Sequence, residues 1–304
     1  MTSHPIEGVL PVLHVSYLPD GRIDLDDVER ELDWVYQHGS QGCCLAMVTD
    51  LFRLTTSERY DLVEQVVRLN ADRGAVIVSV GAESTEQAVA HARHARDAGA
   101  DAVMALPPVN TRSDDAGAHT YFDSLLQAVE IPLIIQDASG YVGRPLSLEI
   151  QLRLLERYGP ERLLFKPETV PVGPTVTALV QSSHGNAKIF EGSGGLYLVE
   201  TFRRGLSGVM PGCDLIDGIV ALWKALLSGD DKRIYQLAFP ISAIIAMQAQ
   251  AGLDGFMMIE RYILRKRGIF CSSHNRGPTG FAPDKFVLAE VDRLLEVLQQ
   301  ALEA

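Results

Sequence analysis

Val9-Leu10-Pro11-Val12-Leu13-His14-Val15-Ser16-Tyr17 begins as an apolar run and leaves that run without a glycine. An open doubly wound sheet usually has a glycine-rich turn after its first strand, where a phosphate can approach the backbone. Neither GxGxxG nor GxxxxGK(S/T) occurs anywhere in the chain. Further short apolar runs lie at 43–48, 76–80, 102–106, 133–135, 163–165, 188–190 and 208–210. Amphipathic stretches separate them at 24–38, 56–69, 84–98, 118–129, 147–158, 196–204 and 215–227. In the first of these, Leu25, Val28, Leu32 and Val35 fall at helical spacing. Asp24 is placed to cap its start, and Gly39 stands just past its end. Successive runs are roughly 20–35 residues apart, as βα units require. Several lack polar alternation, which suits parallel strands buried on both faces. About eight such runs alternating with about as many helical stretches predict an α/β fold, a closed (β/α)8 TIM barrel spanning residues 1–228. Helical stretches at 232–251, 255–267 and 284–302 predict a C-terminal helical extension, 229–304, packed on that barrel.

The chain has 304 residues, 47% of them hydrophobic, enough for one large core. Its net charge of −12 argues against nucleic acid and anionic membrane as partners. No apolar run approaches the roughly 18–20 residues of a membrane span. Met1-Thr2-Ser3-His4-Pro5 shows no basic stretch before an apolar core, so no signal peptide is expected. Cys43, Cys44, Cys213 and Cys271 lack metal-ligand spacing and read as buried, reduced thiols, which fits a cytoplasmic protein. His14, His91, His94, His119, His184 and His274 form no ligand pattern with carboxylates, so no metal is expected. His91 and His94, beside Arg93 and Arg96, read as a solvated helix face.

Chemistry in such a barrel belongs at the C-terminal ends of the strands. The sixth run, Leu163-Leu164-Phe165, ends on Lys166-Pro167-Glu168. A lysine at the end of a buried strand must be paired, neutralised or put to use. Two readings stand on the local residues. Lys166 pairs with Glu168 on an exposed loop, or it is a desolvated amine that attacks carbonyl carbon to form a Schiff base.

The chain resembles the dihydrodipicolinate synthase / N-acetylneuraminate lyase family along nearly its whole length. The likeness runs through Gly8-Val9-Leu10-Pro11, Asp20-Gly21-Arg22-Ile23-Asp24 and Leu54-Thr55-Thr56-Ser57-Glu58-Arg59. It continues through Ala98-Gly99-Ala100-Asp101-Ala102, Leu106-Pro107-Pro108, Ile131-Pro132-Leu133-Ile134-Ile135, the strand ending at Lys166, and Gly205-Leu206-Ser207-Gly208-Val209. The resemblance implies a (β/α)8 barrel, usually tetrameric, in which Lys166 forms an imine with the keto carbon of a 2-oxo acid. No separate cofactor is then required, and a homotetramer or homodimer is expected. The chain also departs from the family. The usual Gly-Thr-Thr-Gly-Glu after strand two is Ala46-Met47-Val48-Thr49-Asp50 here. Carboxylate binding must be rebuilt from backbone N–H groups, Thr49 or Ser16. The strand-five tyrosine of Tyr-Asn-x-Pro is replaced by Gln136 in Gln136-Asp137-Ala138-Ser139, and a second tyrosine by Val109. An amide hydrogen-bonds but does not transfer a proton at neutral pH. Gln136-Asp137-Ala138, Phe165-Lys166-Pro167-Glu168-Thr169 and Glu191-Gly192 resemble most the branch that includes 2-keto-3-deoxy-L-arabonate dehydratase.

The resemblance implies a Schiff-base lyase that dehydrates or cleaves a 2-keto-3-deoxy sugar acid. Two alternatives stand beside it: a pyruvate-dependent aldolase or condensing enzyme, and a non-catalytic 2-oxo acid binding protein that lost its proton relay. Lys166, Gln136 and Glu168 are the expected catalytic residues, with Thr49, Asp137, Gly192, Ser193 and Ser16 binding substrate. Glu168 could instead cap a helix, Asp137 could hold a turn, and the glycines around Ser193 could form a plain tight turn.

Overall fold

The computed structural model describes residues 4–304; Met1-Thr2-Ser3, the start of the N-terminal stretch, lie outside the described residues. Strands β1 (Gly8–Val9), β2 (Gly42–Leu45), β3 (Ala75–Ser79), β4 (Ala102–Ala105), β5 (Leu133–Asp137), β6 (Leu163–Pro167), β7 (Lys188–Glu191) and β8 (Gly208–Val209) alternate with helices. These are α1 (Leu25–Gln37), α2 (Thr56–Asn70), α3 (Thr85–Ala98), α4 (Asp115–Ala128), α5 (Leu148–Tyr158), α6 (Val172–Ser182), α7 (Leu198–Phe202) and α8 (Ile216–Ser228). All strand pairs are parallel, in the order β1-β8-β7-β6-β5-β4-β3-β2. Val12 bridges both Cys44 and Gly212, which brings the first and second strands together and closes the barrel.

The period-two alternation of each strand sorts its side chains into two layers. Leu10, Ile77, Met104, Ile134, Leu164 and Phe190 fill the inside of the barrel. Leu133, Ile135, Leu163 and Phe165 face outward and pack with the helical stripe of Val28, Leu32 and Val35 and its equivalents. Each such fully buried side chain contributes about 1.5–3 kcal/mol.

Several boundaries differ from the sequence reading, each for a local reason. The first strand is short because Pro11 has no N–H to give the ladder. The second ends at Leu45 because Thr49 folds the chain into a 3-10 turn, Met47–Thr49. The Thr49 hydroxyl accepts from the Ala46 N–H at 2.9 Å and donates to the Leu13 carbonyl at 2.6 Å. α7 starts late because Gly194 and Gly195 hold φ of 68° and 98°, a left-handed turn that glycine adopts without penalty. β5 and β6 each run two residues further than read, with the Glu168 N–H donating to the Asp137 carbonyl at 2.7 Å.

The chain continues into α9 (Asp231–Ala249), α10 (Gly252–Lys266) and α11 (Lys285–Glu303). α10 is pinned over the mouth of the barrel. Its Arg261, 1% exposed, donates to Asp50 Oδ2 at 2.7 Å, and the Tyr17 hydroxyl donates to the same oxygen at 2.9 Å. Two readings are corrected. Cys271 is exposed, since it lies in the irregular chain between α10 and α11, whereas Cys43, Cys44 and Cys213 are buried. His91 is buried against Tyr60, whose hydroxyl meets its Nδ1 at 3.2 Å, and burial holds its pKa down at about 4. Among the described residues no helix is long and apolar enough to cross a membrane.

Candidate active site

The alternation that fills the barrel also aims the site. Leu164 points inside, so Lys166, two residues on, points inward at the C-terminal mouth. The same parity carries Ile134 to Gln136, Phe190 to Gly192, Met210 to Gly212 and Val12 to His14. In the register of β5 and β6, Gln136 lies directly beside Lys166. Above the apolar layer the barrel therefore presents an amide, a lysine and two glycines. The glycines leave a small cavity, walled by apolar side chains that include Val12, Met47, Val48, Leu253 and Phe256.

Lys166 is 3% exposed, and its Nζ lies 3.3 Å from Glu168 Oε1. Glu168 is itself buried and accepts from Gln136 Nε2 at 2.5 Å through Oε2. Burial pushes the Glu168 carboxyl above the usual range, while the Lys166 charge and the Gln136 hydrogen bond pull against that rise. The exposed-loop pairing of Lys166 with Glu168 is thus overturned. The pair exists, but it is buried at the cavity. Gly192 is what leaves it room. A Cβ at that position would stand 2.4 Å from Lys166 Cε and 2.7 Å from Glu168 Cγ.

A second carboxyl lies behind this pair. Glu191 is buried; its Oε1 accepts from the Ser193 N–H at 3.0 Å, and its Oε2 has no hydrogen-bond partner. Burial, with help from the Glu168 charge, pushes it up to about 7 against backbone N–H groups that favour the anion. Gln136 Oε1 is also buried without a partner. Buried orphan acceptors are rare and cluster where a ligand or a reaction satisfies them.

The structure brings together Lys166, Gln136, Glu168 and Gly192, and leaves the other expected binders elsewhere. Thr49 spends its hydroxyl on the turn described above. Ser16 donates to Asp27 Oδ2 at 2.5 Å, away from the cavity. Asp137 points outward and holds the loop after β5, accepting from the N–H groups of Ser139 and Leu146. Ser193 serves Glu191 through its backbone.

Two polar cavity residues, Tyr141 and Glu260, stand outside the expected set. Tyr141, on the loop after β5, lines the cavity and packs edge-on against Phe256 with ring centres 5.8 Å apart. Burial and the Glu168 charge raise its phenol. The strand-five tyrosine is absent, as read, but a phenol reaches the cavity from five residues further on. Glu260 arrives from α10 and meets His14 Nε2 at 2.7 Å. Its sequence signal was an acid at the fourth place after Phe256, on the apolar face of the helix. His14 meets Glu31 on its other ring nitrogen, Nδ1, at 2.9 Å. Burial disfavours its charge, but the two carboxylates override this and hold it up to about 10. His14, Glu31 and Cys213 are the one tight group of metal-ligating atoms among the described residues. Their atoms are engaged already, since Cys213 Sγ donates to the Val12 carbonyl at 3.2 Å and both His14 nitrogens face carboxylates.

Comparison with known proteins bears on the family and the fold. The model of the dihydrodipicolinate synthetase family matches residues 5–285. L-2-keto-3-deoxyarabonate dehydratase of Azospirillum brasilense is 28% identical over 280 residues, 89% of this chain and 88% of the relative. 4-Hydroxy-tetrahydrodipicolinate synthase of Methanosarcina barkeri is 23% identical over 242 residues, 79% of this chain and 81% of the relative. The solved sialic acid aldolase of Ruminococcus gnavus superposes with a TM-score of 0.86 at 18% identity, covering 98% of each chain, and so shares the fold. With a family model matching most of its length and a barrel of the same fold, the chain belongs to the dihydrodipicolinate synthetase family and is a lyase.

Proposed function

We propose that the protein dehydrates or cleaves a 2-keto-3-deoxy sugar acid through an imine at Lys166. The observation that carries this is the buried Lys166 amine at the cavity, 3.3 Å from a carboxyl that can take or return a proton. Lys166 Nζ adds to the C2 carbonyl and water leaves, giving the iminium. That cation acidifies C3–H, and the adjacent carboxylate of Glu168 accepts the proton as the enamine forms. Expulsion of the C4 hydroxyl, with the proton returned to it, completes a dehydration. Cleavage starts instead from the iminium with C3–H intact: the carboxylate takes the C4 hydroxyl proton, C3–C4 breaks as C4 becomes a carbonyl, the bond pair forms the enamine, and the proton is returned to C3. Water then releases the product from Lys166. Gln136 holds Glu168 through Nε2 and offers its free Oε1 to a substrate hydroxyl.

The dehydratase relative favours sugar acids over the condensing reading. Exposed Leu227, Tyr235 and Phe239 support a homo-oligomer, and the buried free thiols support a reducing compartment such as the cytoplasm. The test is to incubate the protein with 2-keto-3-deoxy sugar acids and weigh the products. Loss of one water marks dehydration, and release of pyruvate marks cleavage. No turnover of any such acid would contradict the proposal.

A further inference from the structure

Glu260 and Tyr141 are the polar side chains of the cavity that the proposed chemistry leaves idle, and Glu260 is the charged one. Glu260 stands on α10, outside the barrel, yet lines the same cavity as Lys166 and is only 2% exposed. Its Oε2 is held by His14, and His14 is held in turn by Glu31, whose Oε2 also accepts from the His14 backbone N–H at 2.9 Å. With both ring nitrogens engaged, neither the imidazole nor the carboxylate is free to turn away. Glu260 Oε1 accepts no hydrogen bond from the described residues.

That free oxygen lies over Gly212, where a Cβ would come within 2.5 Å of it. Asp214 Oδ1 lies 2.8 Å from the same point, and Gln248 Nε2 donates to Asp214 Oδ2 at 2.7 Å. Burial and the Glu260 charge push the Asp214 carboxyl well above the usual range. This wall cannot take the substrate's own carboxylate, because a second anion beside Glu260 would be buried without a counterion. It can take a neutral hydroxyl, whose O–H donates to Oε1. Apart from Lys166, Gln136, Glu168 and Tyr141, the other side chains lining the cavity are apolar.

We propose that Glu260 binds the hydroxyl-bearing tail of the substrate and so selects hydroxylated 2-oxo acids over pyruvate. This rests on the reading of Lys166 as the amine that takes the 2-oxo acid. The test compares borohydride trapping at Lys166 with a 2-keto-3-deoxy sugar acid and with pyruvate, in the wild type and in Glu260→Gln. The ratio of the two half-saturating concentrations is read, so any general loss of reactivity cancels. A hydrogen bond to a charged acceptor makes the expected loss of preference for the hydroxylated acid about tenfold or more. Glu260→Asp keeps the charge beside His14 but withdraws the carboxylate from the cavity. It reads the same ratio if the glutamine variant does not fold. An unchanged ratio in a folded variant overturns the assignment of Glu260 and leaves Lys166 untouched. Absence of any adduct in the wild type overturns the Lys166 reading, and this one with it.

Discussion

Replacing Gly192 with alanine adds one methyl group at the most crowded point of the site. That carbon would stand 2.4 Å from Lys166 Cε, 2.7 Å from Glu168 Cγ and 2.9 Å from Glu168 Cδ. Carbon atoms rest about 3.5–4.0 Å apart, so the lysine arm must retreat by about 1 Å or more. Glu168 cannot yield easily, because Gln136 and Lys166 hold its two oxygens. A misplacement of about 1 Å costs on the order of 100-fold in rate. Overpacking of a filled core costs about 1–3 kcal/mol of stability. The assay pairs urea denaturation with the rate of borohydride trapping. The expected result is a folded variant, less stable by that amount, whose trapping falls about 100-fold. A variant that traps a 2-oxo acid at the wild-type rate would refute the claim that Gly192 exists to clear the lysine.

Glu191→Gln tests the second buried carboxyl through the pH dependence of stability. Its folded value of about 7 lies above the ordinary 4.5, so the folded state holds the proton more tightly. Stability therefore falls as pH rises from 4.5 through 7, by roughly 3 kcal/mol at about 1.4 kcal/mol for each pH unit. The glutamine variant should lose that slope, as followed by denaturation between those pH values. Arg261→Met leaves Asp50 buried with less of its cation and should cost on the order of 3 kcal/mol. Arg53, 3.1 Å from Asp50 Oδ1, keeps the loss from being larger, and denaturant titration measures it.

Much of this site follows from strand parity. Once Leu164 is known to face inward, Lys166 must face the mouth and Glu168 must lie on its side. The same rule applied to Val12, Phe190 and Met210 would have marked His14, Gly192 and Gly212. Other features were hidden because their partners lie far away in the chain. Asp27 and Glu31 sit on α1 in the apolar stripe of Val28, Leu32 and Val35, and both are buried. Acids there read as solvent-facing until Ser16 and His14 are seen opposite them. Glu260 and His14 are separated by 246 positions, and no local pattern links them. Thr49 shows the converse error. A hydroxyl at a strand end looks available, yet a turn had already used both its hydrogen-bonding roles. Tyr141 is hidden for another reason: the family pattern places a phenol at the register of Gln136, whereas the loop after β5 delivers one from outside the strand.

The most direct test of the account is the covalent one. The wild-type protein is mixed with pyruvate or a 2-keto-3-deoxy sugar acid, reduced with borohydride, and examined by intact mass and peptide mapping. The account predicts one reduced adduct per chain, located at Lys166, and none in Lys166→Met. No adduct with any 2-oxo acid, or an adduct on another lysine, would contradict it.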